Sequence, residues 1–127
     1  MSWSYTAYIL WKYSEKVQNE TVNFHDFSKF IFAELGRKWK LFLHDGDRDL
    51  YADLEYLKKI GAIDIDIEKT DEGQTIIIKI KKDNLKRIGE AVEKFVDVTS
   101  KRVGLISECR RRIDRAIEDM REQNLYR

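Results

Sequence analysis

Two basic clusters, a run of aspartates, two histidines and one cysteine carry most of the chemistry open to this chain. Arg37, Lys38 and Lys40 flank Trp39, a pairing of cations and an aromatic ring that suits contact with phosphates. The other reading of that segment is a solvated connector around a buried tryptophan. Arg110, Arg111, Arg112 and Arg115 form the second cluster, but Glu108, Asp114, Glu118 and Asp119 interleave with it, a pattern that marks a solvated helix face. Asp45, Asp47 and Asp49 have the spacing that opens a calcium loop. Such a loop needs glycine at its sixth position and glutamate at its twelfth, where this chain has Leu50 and Tyr56. Helix capping by Asp45 or Asp47, with Asp49 in the first turn, explains the cluster without a metal. No glycine-rich phosphate loop, metal-spaced Cys/His set or nucleophile motif is present. No catalytic residue, metal or cofactor is therefore expected, and the chain does not read as an enzyme. His25 reads as an exposed or capping residue, and a lone Cys109 cannot close an internal disulfide.

The segment that would position these groups runs from Asp47 to Lys82. Leu50, Leu54 and Leu57 fall at i, i+4 and i+7, the period of a helix with one buried face. Gly61 follows as its stop, since glycine readily takes the positive φ of a helix C-terminus. Ile63-Asp64-Ile65-Asp66-Ile67-Glu68 then alternates with period two, a half-buried strand. A turn at 70–74 leads into a second strand, 75–81. Setting isoleucines against isoleucines pairs Ile65 with Ile80 and Ile67 with Ile78. That places Asp64 and Asp66 across from Lys81 and Lys79, and calls for a four-residue loop.

Upstream, residues 4–17 read as a first helix whose aromatics pack against the other helices. Trp3 is a candidate cover for a dimer surface. Thr21-Val22 has the composition of a short strand, and Asn23 is placed to cap a second helix that carries Phe24, Phe27, Phe30, Ile31 and Leu35 and stops at Gly36. The connection 37–46 is too long for the tight turn of a helix-turn-helix, and is expected as a strand or an extra helical turn. Downstream, Asp83 can cap one long helix from Asn84 to about Gln123. Leu85, Ile88, Val92, Phe95, Ile106, Ile113 and Met120 fall on the a and d positions of a heptad, and Ile117 widens the stripe. A helix of that length reaches ~60 Å at 1.5 Å per residue, so a partner helix from a second copy is expected; the alternative is two shorter helices broken near Val98-Thr99-Ser100 or at Gly104.

The order helix, glycine stop, strand, turn, strand, with Asp53-Leu54-Glu55-Tyr56-Leu57-Lys58-Lys59-Ile60-Gly61-Ala62-Ile63 at its centre, resembles the winged-helix transcriptional regulators of archaea and bacteria. It resembles in particular small archaeal ones whose long C-terminal helix forms a dimer. The resemblance implies an α+β, mostly helical fold. A winged helix-turn-helix domain with a two-stranded wing would span residues 1–82, and a coiled-coil dimerisation helix residues 83–127. It also implies double-stranded DNA as partner and a homodimer as the working form. Arg48, Tyr51 and Tyr56 would enter the major groove, Lys69 and the wing would reach the backbone, and Arg37, Lys38 and Lys40 would hold phosphates. Ala52 and Glu55 stand where that family usually places polar or basic residues.

Charge complicates this picture. Residues 1–44 are net +2 and 84–127 net +3, whereas 45–83, the segment of the third helix and wing, is net −4. A DNA-facing surface should be positive, so a module docking a protein partner is the second reading. The N-terminal residues lack the basic and long apolar regions of a signal peptide, and no apolar run approaches the ~20 residues of a membrane span. A cytoplasmic location is expected.

Overall fold

The first helix, α1 (Ser2–Val17), has no face to give to water at its centre. Thr6, Ala7, Tyr8, Ile9, Leu10 and Trp11 are buried in succession, and six residues at 100° per residue pass more than once around a helix. Such a helix has to be surrounded. The computed structural model describes the backbone over residues 2–99 and 104–125 and side chains over 3–95 and 108–123. In it, α1 packs against three further helices, α3, α4 and α5.

The element order is α1, β1 (Thr21–Asn23), α2 (Phe24–Lys29) continuing as a π-helical segment (Phe30–Lys38), α3 (Asp47–Lys59), β2 (Ile63–Thr70), β3 (Gly73–Ile80), α4 (Lys82–Thr99) and α5 (Gly104–Leu125). The fold is thus α+β and mostly helical, with one three-stranded antiparallel sheet in the order β1-β3-β2. The core joins Phe27, Phe30, Ile31 and Leu35 with Leu50, Leu54 and Leu57 of α3, Val22, Ile63 and Ile78 of the sheet, Leu85 of α4, and Ile113, Ala116 and Ile117 of α5.

Several local expectations hold. Asn23 caps α2, its side chain accepting from the Asp26 amide at 3.2 Å. Gly61 has φ +82°, and the amides of Gly61 and Ala62 donate to the carbonyls of Lys58 and Leu57, closing the last turn of α3 as a Schellman motif. The expected isoleucine face of the hairpin is present, but its register is shifted by two. Ile65 faces Ile78, Ile67 faces Ile76, and Thr70 faces Gly73 across a turn at Asp71-Glu72, with φ +128° at Gly73. A shift of two leaves every side chain on the same face, so only the turn glycine separates the two registers. Asp66 keeps Lys79 as its partner, at 3.2 Å, as a diagonal neighbour.

β2 is an edge strand. The amides of Ile65 and Ile67 donate to the carboxylates of Asp64 and Asp66, at 2.9 and 3.0 Å. The acidic half of the alternation therefore occupies two main-chain donors of that strand.

Other expectations are corrected. The helix after Asn23 does not stop at Gly36. It widens into the π-helical segment, and Gly36 lies buried within it beside the ring of Phe42. The amides of Trp39 and Leu41 satisfy the carbonyls of Glu34 and Leu35, and Lys40 takes the left-handed conformation (φ +58°) that ends the turn. Neither Asp45 nor Asp47 caps α3. Gly46 holds the N-cap position, Asp47 accepts from the Ser28 hydroxyl, and Asp49 accepts from the Asp45 amide at 3.3 Å. Asp83 lies in the first turn of α4, which begins at Lys82.

The single long helix is replaced by two. Arg110 of α5 meets Glu93 of α4 at 2.6 Å, a contact that a continuous helix would hold about 25 Å apart over those 17 residues. Physically, the apolar stripe has found its partner within the chain, on α1. Leu85, Ile113 and Ile117 are fully buried there, and Ile88, Val92 and Met120 pack against them. Phe95 is 60% exposed, and the Ile106 side chain falls outside the described residues.

The seat of α4 on α1 is a close one. A Cβ at Gly89 would lie 2.2 Å from the Trp11 ring, far inside contact distance. Gly89→Ala, which would stabilise an exposed helix by up to about 1 kcal/mol, is expected here to destabilise by about 1–3 kcal/mol, read from denaturant midpoints. Ile117→Ala should destabilise by about 2–5 kcal/mol. Its midpoint should be independent of protein concentration, because the contact is made within one chain.

Candidate nucleic-acid interface

The residues expected at the DNA divide into two groups. On α3, Arg48 is exposed and makes no ion pair among the described residues. Tyr51 is half-buried, its ring edge-on to Phe24 with centroids 5.9 Å apart. Tyr56 remains partly exposed, but its ring lies 4.8 Å from that of Trp3. Trp3 therefore covers α3 of its own chain. Lys69 is exposed towards the end of β2, opposite Gln74. Around these cations stand Asp49, Glu55, Glu68, Asp71 and Glu72, all exposed. α3 and the β2–β3 hairpin thus keep the acidic character of their sequence.

The second group acquires neighbours that are remote in sequence. The π-helical segment delivers Arg37 and Lys38 to its last turn, and the left-handed turn at Lys40 sends the chain away. Opposite them lies the arginine face of α5. Lys38, Trp39 and Lys40 on one side and Glu108, Arg111, Arg112 and Arg115 on the other line an open groove of about 550 Å³. Arg112 joins the two walls: one guanidinium nitrogen donates to the Trp39 carbonyl at 2.6 Å, and its Nε donates to Glu108 at 3.0 Å. Lys38 reaches Glu34 at 3.7 Å and Asp119 at 3.9 Å. Arg115 also reaches Asp119, at 3.5 Å, and Arg111 pairs with Glu108. Arg37 is exposed at the end of the π-helical segment. Five cations line the groove against three carboxylates that pair with them, so it is net positive by two.

Interleaved acids had made this stretch of α5 look like a uniform solvated face. Helical geometry sorts them. Residues 108, 111, 112, 115 and 119 share one face, while Arg110, Asp114 and Glu118 share another. The second set reaches α1 along the flank of the helix: Asp114 accepts from the Tyr8 hydroxyl at 3.0 Å, and Glu118 pairs with Lys16, both carboxylates staying about half exposed. A face-by-face count of charge along the helix would have found the basic side.

Three further residues escaped the sequence reading. The Thr6 hydroxyl donates to Asp53 at 2.8 Å, and His44 Nε2 lies 2.9 Å from the same carboxylate oxygen and 2.8 Å from the Thr6 oxygen. One ring nitrogen serves both contacts, and the buried Nδ1 has no hydrogen-bond partner among the described residues. Both contacts share one nitrogen, so this cluster does not form a relay through the ring. It ties α1, the 40–46 connection and α3 together, which fixes the departure of the chain from the groove. Nothing in local spacing announces it, because its members are 38 and 9 residues apart.

Among the described residues, no group of three or more His, Cys, Asp or Glu side chains is placed to hold a metal ion, and no helix is long and apolar enough to cross a membrane. Cys109 lines a cavity of about 10 Å³ between α1, α4 and α5, room for about one water. No family model, no curated protein and no solved structure matches this chain. What the groove can do has to be read from its own residues.

Its second wall depends on groups that titrate in alkali. Burial, then the Asp114 carboxylate, pushes the Tyr8 hydroxyl well above its ordinary value of 10, and burial pushes the Cys109 thiol above 9. Both hold their protons more tightly folded than unfolded. Their contribution is therefore complete below the unfolded values and is lost as pH rises above about 9–10. The thermal midpoint should fall across that range, and Tyr8→Phe, which removes one titrating group, should flatten the fall.

Proposed function

We propose that this chain is a winged-helix DNA-binding domain that contacts double-stranded DNA and serves in transcription regulation. The observation that carries the reading is the order of elements. Helix, strand, two helices and a hairpin, with β1 against the outer side of β3, is compatible with a winged-helix layout, which supports the reading of α3 as recognition helix and of the hairpin as wing. α3 is closed by a Schellman motif and leads directly into β2, so helix and hairpin are held in a fixed relation. Arg48 stands exposed on the first turns of that helix, where the N-terminal part of a recognition helix meets base edges. Tyr51, against Phe24, and Tyr56, against Trp3, lie about 140° apart around the helix and flank the Arg48 face on its two sides. Fold alone does not dictate function; the net-positive groove supplies the electrostatic support that α3 lacks.

With the apolar stripe of the C-terminal helices occupied inside the chain, a second copy is not required for this role. A second reading has one specific observation in its favour: the carboxylates around α3 and the wing would suit a basic protein partner.

Selection of binders from a randomised duplex pool, followed by mobility shifts at two salt concentrations, tests the proposal. Binding should weaken steeply with salt. Arg48→Ala should reduce preference for the selected sequence by tenfold or more, equivalent to about 1–3 kcal/mol. Absence of any shift at low salt would falsify the proposal and favour the protein-docking reading.

A further inference from the structure

We infer that the groove between the end of the π-helical segment and α5 is a binding site for the phosphodiester backbone, and that it, rather than α3, is the main electrostatic anchor. This inference rests on the nucleic-acid reading above and locates the part of the surface that would hold the strand.

The geometry points that way for four reasons. First, the groove is built from two segments about 70 residues apart. Neither Lys38-Trp39-Lys40 nor the arginine face of α5 makes a groove alone, and the Arg112 bond to the Trp39 carbonyl holds the walls in register. Second, its cations are differently committed. Arg112 is held by two acceptors and acts as a rivet. Arg111 and Arg115 have side chains 76% and 69% exposed, and Lys40 has no carboxylate within ion-pair distance among the described residues. Exposed pairs such as Arg111–Glu108 are worth at most about 1 kcal/mol, so those guanidinium groups can exchange a carboxylate for a phosphate. Third, Arg111 and Arg115 stand one helical turn apart, about 6 Å along the axis. Each offers the planar fork that meets phosphate oxygens in pairs. Fourth, the rest of the candidate interface is acidic. A polyanion approaching the molecule would be repelled by Asp64, Asp66, Glu68, Asp71 and Glu72 and drawn to this groove.

The inference also gives α5 a role. Its apolar side fastens it to α1, its flanking polar side pairs with Tyr8 and Lys16, and its third side completes the site. Displacing α5 would remove three of the five lining cations at once.

The experiment uses the full chain and fluorescently labelled DNA, as a random-sequence duplex and as one of its strands, at two salt concentrations. The triple variant Lys40→Ala, Arg111→Ala, Arg115→Ala changes exposed side chains and should keep the wild-type thermal midpoint. Its duplex affinity at low salt should drop by tenfold or more. The slope of log affinity against log salt should become shallower by about 2–3, near 0.9 per lost phosphate contact. The double variant Arg111→Lys, Arg115→Lys, which keeps Lys40 and every positive charge, should retain most of the wild-type slope. Wild-type affinity and slope in the triple variant would overturn the groove while leaving the function reading intact if Arg48→Ala still lost sequence preference. Preference for the single strand, abolished by the triple variant, would support the groove and overturn the duplex reading. No binding of either DNA would overturn both.

Discussion

A helix with no solvent-facing side at its centre governs this structure. Thr6 to Trp11 turn apolar or small side chains in every direction, and a single layer of neighbours on one side cannot cover them. α3 covers one side and α4 and α5 close the rest. The fold-back of the C-terminal helices is thus a consequence of α1 as much as of their own pattern. Burying Ile113 and Ile117 fully against it is worth roughly 1.5–3 kcal/mol each. The close fit of Trp11 on Gly89 shows how near α4 has to come. A glycine in the middle of a helix, otherwise a liability, is the trace that contact leaves in the sequence.

The parts of the fold that were legible are those decided by local geometry. Leu50, Leu54 and Leu57 show the period of α3, Gly61 its end, and the isoleucine alternation the hairpin. Asn23 marks the start of α2. The errors have a common source in contacts remote along the chain. The stripe from Leu85 to Met120 is real, but periodicity tells only that a helix needs a partner, not whose. The breadth of the apolar face on α1 was the missing half, since a helix apolar all round is itself a partner. Hairpin register was invisible to a face argument because an even shift preserves faces. Gly36 is a natural stop by residue type, whereas Lys40, a residue with no special liking for positive φ, ends the segment because the core carries the chain past Gly36.

For the candidate site, Arg37, Lys38 and Lys40 were legible as cations around a tryptophan. Their opposing wall was not. Rotation by 100° per residue separates part of this alternation: Asp114 and Glu118 reach α1, while Glu108 and Asp119 stay on the face of Arg111 and Arg115. The resulting molecule is electrically divided, with an excess of carboxylates on α3 and the hairpin and an excess of cations in the groove. The near-neutral total of the whole chain conceals that division.

The edge strand carries a consequence of its own. An unpaired strand in solution offers its main chain to any extended peptide, including the same strand of another copy. In β2, two outward donors are already occupied by Asp64 and Asp66, and the carboxylates add mutual repulsion between copies. The hairpin is thereby insulated against zipping edge to edge. It can project as a lone hairpin at high local concentration, as when many copies crowd along one long polymer, without polymerising itself.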